Sequence, residues 1–377
     1  MNRDEIYRAT IDRHLAPVKA HLDDPAVSEV MINGANEIYV ERDGVVERSS
    51  VRFVDEAAYE AAVNNILHYT GKSLTDPHPL VDTRLPDGSR VHVAKAPCAR
   101  HGLAMSIRKF AKEMLDVDWL VNIGSLTEQV RDFLRVAVLA EQNILVCGGT
   151  SSGKTSLLNA LSKFIPHGQR IVTIEDSAEL QLQQEHVVSL EAQPPDRFGR
   201  GAVSVRELFR ASLRLRPDRI VIGEVRGGEA LDMVQAMTSG HGGSMGTLHA
   251  NSPADALNRL ETMAMMSGVE LPLHALRAQV ASAIDLVVQM SRHVRGERVV
   301  TEVAEVEPLD EGGGHHLTPL FERVPGESPD RAMELRWTRR RAALAALLSS
   351  EQRRDLPDSL LGVLSPRATP AKEAAHA

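Results

Sequence analysis

Hydrophobic and polar positions alternate with a period near two through much of the first third of the chain. Residues 1–23 precede that pattern and read as a short N-terminal helix of mixed charge, expected to be a solvated lead-in. Val27–Met31 and Glu37–Arg42 then alternate as short strands, and Asp43-Gly44 after the second is a dipeptide that tolerates the positive φ of a tight hairpin. Asp87-Gly88 repeats that signal between Thr83 and Val93. Between the two hairpins, Ala58, Ala62, Ile66 and Tyr69 recur at helical spacing and predict a helix over Asp55–Tyr69. Residues 24–110 therefore predict one small α+β domain.

The period changes after residue 110. Residues 111–125 mix charges with isolated apolar positions and read as a linker, ahead of a helix over Leu126–Glu141 with Thr127 as its N-cap. From Asn143 on, short apolar runs alternate with helical stripes. Strands are predicted over Ile144–Cys147, Arg170–Ile174, Arg219–Val225, Met245–Leu248, Leu286–Met290 and Arg298–Val303. Helices are predicted over Ser156–Phe164, Val205–Leu215, Glu229–Thr238, Pro253–Met266 and Pro272–Ile284. Such alternation predicts an α/β domain over 126–310, a mostly parallel sheet flanked by helices. Residues 311–377 read as a C-terminal extension, partly mobile, whose periodicity fades from Ser349.

Composition narrows the choice of function. The 377 residues allow two to three domains, and 43% hydrophobic content is enough to fill their cores. A formal charge of −8 and 3% aromatic residues argue against a general grip on nucleic acid, so no nucleic-acid partner is expected. Cys98 and Cys147 are far apart and lack CxxC spacing, as expected of a reducing compartment without a cysteine zinc site. No run approaches the roughly 18 to 20 apolar residues that cross a bilayer, and MNRDEIYRATIDRH lacks the apolar centre of a secretory signal. A cytoplasmic location is expected, with any membrane contact made through a surface or partner.

The chemistry starts at Gly148-Gly149-Thr150-Ser151-Ser152-Gly153-Lys154-Thr155, which satisfies GxxxxGK(S/T) residue for residue. A predicted strand ends at its first glycine and a predicted helix opens at Ser156, the context that the pattern needs. Glycines let backbone N–H groups turn toward an anion, and the helix N-terminus adds partial positive charge. Lys154 would reach the β- and γ-phosphates of ATP, and the Thr155 hydroxyl would ligate Mg²⁺. Hydrolysis also needs a carboxylate near the terminal phosphate. Arg219-Ile220-Val221-Ile222-Gly223-Glu224 is an apolar strand ending in an acid, but Gly223 stands where an aspartate is usual, so Glu224 is expected to serve metal and water together. Ile171-Val172-Thr173-Ile174-Glu175-Asp176 places Glu175 at a second strand exit, with Asp176 and Glu179 as weaker candidates. In Gly240-His241-Gly242-Gly243-Ser244-Met245-Gly246-Thr247-Leu248-His249, His249 leaves a short strand and is placed to sense the γ-phosphate. Neither histidine has neighbours at zinc-ligand spacing.

In this order the glycine loop, Thr173-Ile174-Glu175-Asp176, Gly223-Glu224-Val225-Arg226 and Thr247-Leu248-His249-Ala250-Asn251 resemble the motifs of the type II/type IV secretion ATPase superfamily. Ser28-Glu29-Val30-Met31-Ile32-Asn33-Gly34, Leu85-Pro86-Asp87-Gly88-Ser89-Arg90-Val91 and Ser106-Ile107-Arg108-Lys109-Phe110 resemble the CpaF-like branch, the tight-adherence (Flp) pilus motors. The resemblance spans roughly residues 22–292. It implies a RecA-like P-loop motor domain behind a smaller PAS-like N-terminal domain, and a homo-hexamer at the cytoplasmic face of the membrane. It further implies a platform protein in the inner membrane as partner, and arginines of the N-terminal domain, here Arg84, Arg90 and Arg108, that reach the phosphates. Conjugation or effector export by type IV secretion is the alternative within the class. Outside it stand a non-hydrolytic ATP-dependent scaffold, motivated by Gly223, and a nucleic-acid motor using Arg206, Arg210, Arg214 and Arg216. Arg339-Arg340-Arg341 is read as a solvated basic cluster.

Overall fold

Two alternating hydrophobic patterns build two separate sheets in the computed structural model, which describes residues 3–110, 116–195, 199–293, 296–324, 334–340, 342, 344 and 357–364. The chain divides into one unit of Met1–Glu113 with Val294–Glu297, and a second of Met114–His293 with Arg298–Ala377.

The first unit is a six-stranded antiparallel sheet, built from β1 (Val27–Asn33), β2 (Ile38–Arg42), β3 (Val45–Arg48), β4 (Leu80–Arg84), β5 (Arg90–Ala94) and β6 (Ala104–Arg108). Their spatial order is β3-β2-β1-β6-β5-β4. Asp43 and Gly44 join β2 to β3 with φ of 49° and 80°, the pair of left-handed residues that a tight hairpin demands. Helix α3 (Glu56–Tyr69) starts at Asp55, whose carboxylate accepts the Ala58 N–H at 2.7 Å. Its buried side is Tyr59, Ala62, Val63, Ile66 and Leu67, one step round from the expected stripe.

The N-terminal segment differs from the expected lead-in. It forms α1 (Arg3–His14), a turn of 3₁₀-helix at Ala16–Val18 and α2 (Lys19–Asp23). Ile11, Leu15 and Val18 are buried with Val30, Ile32 and Tyr59 in the unit's single core. Four residues separate Ile11 from Leu15, so the two share a helix face, and that apolar stripe outweighs the surrounding charges.

In the second unit nine strands form one sheet, ordered β15-β14-β13-β12-β7-β11-β10-β8-β9. The parallel part comprises β7 (Ile144–Gly148), β8 (Ile171–Glu175), β9 (Val187–Glu191), β10 (Arg219–Val225), β11 (Met245–His249) and β12 (Leu286–Arg292). Both faces of β7 are covered: Ile144 and Val146 enter one core, with Phe133 and Leu157, while Leu145 and Cys147 enter the other, with Val234 and Leu260. Burial on both sides explains why these strands are apolar throughout rather than alternating. Helices α5 (Glu128–Leu139) and α6 (Lys154–Ser162) line the first core; α7 (Val205–Ser212), α8 (Glu229–Thr238), α9 (Pro253–Met265) and α10 (Leu273–Ala283) line the second.

Two expected boundaries shift. Within the expected linker, Val117–Asn122 forms α4, with Val117 and Leu120 buried in the first core of the second unit; residues 111–115 lie outside the described residues. The sheet also continues past residue 310. β13 (Arg298–Glu307), β14 (His316–Val324) and β15 (Glu334–Trp337) extend it antiparallel, and Phe321 of β14 packs on Phe133 with ring centroids 5.5 Å apart. Pro319 hides β14 from a sequence reading, because proline weakens a strand pattern; here it sits at the register shift between Val303 and Ala304. β9, a half-exposed edge strand with Val187, Val188 and Leu190, is not among the expected strands. Arg341 and the stretches 345–356 and 365–377, to which mobility and part of the basic cluster were assigned, lie outside the described residues.

Replacing Leu15 by alanine is expected to lower the unfolding free energy of the first unit by about 2–5 kcal/mol. A solvated lead-in would instead give a change within about 0.5 kcal/mol in denaturant titration.

Candidate functional site

Parallel strands deliver their carboxyl ends to one edge of a sheet, and in the second unit that edge collects most of the expected residues. β7 ends at Gly148, and α6 begins at Lys154. The loop between them closes on itself. Ser152 donates to the Gly149 carbonyl at 2.9 Å, and Lys154 Nζ donates to the carbonyls of Gly148 and Gly149 at 3.1 and 3.0 Å, which holds the ammonium over the loop.

Two glycines make this path possible. A Cβ on Gly148 would come within 2.5 Å of both the Met290 carbonyl oxygen and Ser152 Oγ. Gly153 turns into α6 at φ 95°, a conformation that other residues rarely adopt, next to Ser151 at 55°. Thr150, Gly149 and Ser156 complete the run, and the N–H groups of a helix start remain available to an anion.

The acids arrive from the neighbouring strands. Glu175, last in β8, is 3% exposed and accepts the N–H groups of Glu179 and Leu180 at 2.8 and 2.9 Å. Burial raises its pKa above the usual carboxylate range; those N–H groups oppose the shift, while Glu179 and Glu191 reinforce it. Opposite it, Gly223 has no side chain, and a Cβ there would lie 2.9 Å from Glu175 Cγ. The place of the missing aspartate is thus filled by Glu175 reaching across from β8, so that Glu224 is not the only carboxylate at this edge.

The register of β10 against β11 slips between Ile222 and Val225, a bulge spanning Gly223 and Glu224. Thr247 Oγ1 donates to the Gly223 carbonyl at 2.5 Å within it. Glu224 accepts Arg226 Nη2 at 2.6 Å, and Arg226 Nη1 lies 3.6 Å from Asp176. Thr155 Oγ1 donates to Glu179 Oε2 at 3.4 Å, bringing the weaker candidate to the hydroxyl expected to bind metal. Among the described residues no three His, Cys, Asp or Glu side chains gather to hold a metal by themselves. A Mg²⁺ at Thr155 would take most of its ligands from phosphate and water, which is its usual habit.

The two histidines separate. His249 pairs in register with Gly148. Burial lowers its pKa, Lys154 adds to that effect and Glu224 opposes it, a balance that favours the uncharged imidazole. His241 precedes β11, at the other end of the sheet, where Ser244 donates to its carbonyl at 2.8 Å.

Arg84, Arg90 and Arg108 lie in the first unit and come together there. Arg84 is directly opposite Arg90, and Arg90 is opposite Arg108, so three guanidinium groups form one row across β4, β5 and β6. Like charges placed so repel unless an anion or acid lies near. The basic face considered for nucleic acid is partly neutralised, because Arg206 and Arg210 both donate to Asp232, at 2.7 and 2.9 Å.

Sequence reasoning passed over Arg226 and Glu229. Glu229 fixes the turn after β10 by accepting the N–H groups of Arg226 and Gly227 at 2.7 and 2.8 Å. Its signal was an acid as the first residue of α8, the helix end where acidic side chains are favoured.

Fold and site together define a RecA-like P-loop α/β domain preceded by a smaller domain. The chain belongs to the family described as Type II/IV secretion system protein, which it matches over residues 12–312. It is 37% identical over 312 residues to the type IV secretion system protein PtlH of Bordetella pertussis, covering 76% of this chain and 91% of that one. To a putative conjugal transfer protein of Mycobacterium tuberculosis it is 34% identical over 283 residues, 74% of this chain and 80% of the relative. The conjugal transfer protein TrbB of Rhizobium radiobacter is 33% identical over 312 residues, 81% and 91% of the two chains. In fold it is similar to the Legionella pneumophila ATPase DotB, with TM-score 0.54, 19% identity and coverage of 81% and 82%. The pilus retraction motor PilT gives 0.52 and 18%, covering 91% and 84%.

Introducing the usual aspartate, Gly223→Asp, is expected to destabilise the second unit by about 1–3 kcal/mol through the clash with Glu175. Denaturant unfolding measures it; an unchanged midpoint contradicts the packing described. A raised carboxyl pKa contributes stability below the ordinary value of 4.5, and that contribution is lost as pH rises through the folded value. Wild type should therefore lose stability relative to Glu175→Gln as pH rises from 4 to 7, read as diverging melting temperatures.

Proposed function

We propose that this chain hydrolyses ATP as the motor of a membrane-embedded secretion machine. The observation that carries the reading is the glycine loop after β7, with Lys154 above it, beside strand ends that bear Glu175, Glu224 and His249. Family membership supports the same reading.

In this mechanism the loop N–H groups and the start of α6 bind the β- and γ-phosphates, and Lys154 exchanges its two carbonyl partners for phosphate oxygens. Thr155 and Glu224 would hold Mg²⁺, with Glu179 beside Thr155. When bound, Mg²⁺ would offset the negative charge that develops during transfer. Water attacks the γ-phosphorus, the bond to ADP breaks, and the proton of water goes to a carboxylate. Glu175 suits that step, because its raised pKa makes it a stronger base than an exposed acid. Glu224 orients the water, His249 contacts the terminal phosphate as a neutral hydrogen-bonding group, and Arg84, Arg90 and Arg108 supply further positive charge to the phosphates.

The assembly is proposed to be a homo-hexamer, peripheral at the cytoplasmic face, that passes its strokes to an inner-membrane platform protein. Relatives named for conjugal transfer and type IV secretion favour export through a type IV secretion machine. Tight-adherence pilus assembly is the second reading, favoured by the first-unit blocks at Ser28–Gly34 and Leu85–Val91. The scaffold reading loses its motive where Glu175 covers Gly223.

A phosphate-release assay tests the motor. Wild type is expected to turn over; Lys154→Ala should lose Mg·ATP binding; Glu224→Gln should bind and turn over about 100-fold more slowly or worse. Equal background release in all three would favour the scaffold. Native mass with ATP should read six chains, and a monomer at every nucleotide state would contradict the ring.

A further inference from the structure

Gln289 lies in β12 and is 5% exposed. It pairs in register with Cys147 of β7 on one side and Glu302 of β13 on the other. Its carboxamide oxygen accepts Cys147 Sγ–H at 2.8 Å, and its Nε2 donates to the carbonyls of Met290 at 3.2 Å and Ala250 at 3.4 Å. Every one of these partners adjoins a part of the site. Cys147 precedes Gly148, the Met290 carbonyl is the atom that a Cβ on Gly148 would strike, and Ala250 follows His249. One buried amide thereby ties β12 and β7 to the turn after β11 at the level where the site begins.

Stability gives little reason for a glutamine here. Burying an amide is costly, its hydrogen bonds return little net stability over those it made to water, and Val287, two residues earlier on the same strand face, packs as an apolar side chain in the same core. We propose that Gln289 is a positioning residue, which holds the turn after β11 in register with the phosphate loop so that His249 tracks the terminal phosphate. Leu248 pairs with Cys147 and His249 with Gly148, and the Gln289 link to Ala250 stops the turn from drifting away below that pairing. The inference rests on the proposed ATP reading.

A double-mutant cycle tests it, with wild type, Gln289→Met, His249→Ala and the pair, each assayed for kcat of phosphate release and for the ratio of Mg·ATP to Mg·ADP affinity. Methionine keeps length and packing while deleting the amide. Gln289→Met is expected to leave Mg·ADP affinity within about 3-fold, to lower kcat and the ATP preference about 10-fold, and to add less than about 2-fold when His249 is already alanine. The same fold-loss with and without His249 overturns the inference, as does a loss of Mg·ADP affinity that follows a falling melting temperature. Gln289→Leu serves in the cycle if the methionine variant unfolds. Wild type that binds both nucleotides but releases no phosphate defeats the hydrolysis reading, and the affinity ratio then decides this one. Wild type that binds neither nucleotide overturns both.

Discussion

Glu175 can lie over the α-carbon of residue 223 only because that residue has no side chain. With the nearest approach at 2.9 Å, even a methyl group would displace the acid. Much of the site's electrostatics follows from this contact. The carboxylate is buried in an acidic neighbourhood with Glu179 and Glu191, and these together lift its pKa. A buried carboxyl group with acid neighbours favours an arriving cation or proton over its own resting charge. The arrangement costs stability at neutral pH, as strained functional sites commonly do.

A second constraint acts from below. Gly148 packs so closely on the Met290 carbonyl that the phosphate loop cannot settle independently of β12. The neighbouring strand, which carries no expected site residue, becomes part of the loop's foundation, and the amide of Gln289 extends that support to the turn behind His249. Rigid strands under a loop of positive-φ residues are what a preorganised anion site requires, because the loop has little freedom left to lose on binding.

Much of this was legible beforehand. Apart from β9, the order of strands and helices from Ile144 to Arg298 follows from apolar runs bounded by glycines and acids, and the loop at 148–155 declares itself by spacing. Contacts across the sheet were not legible, since register between strands distant in sequence leaves no local signal: Glu175 on Gly223 joins positions 48 apart. The row Arg84, Arg90 and Arg108 was named from resemblance alone, and only the pairing of β4, β5 and β6 shows it to be a row. Proline inside β14 masked a strand, and charges around α1 masked the burial of a helix expected to be solvated. Local propensity gave way there to burial of Phe321 and Leu15, as a weak prior does to a well-filled core.

The account stands or falls on whether the loop between β7 and α6 receives a triphosphate. Titration calorimetry of the folded full-length chain with Mg·ATP measures this most directly. Saturable heat at one nucleotide per chain, abolished in Lys154→Ala at unchanged melting temperature, is the predicted result. Absence of any saturable uptake by the folded wild-type protein would contradict it.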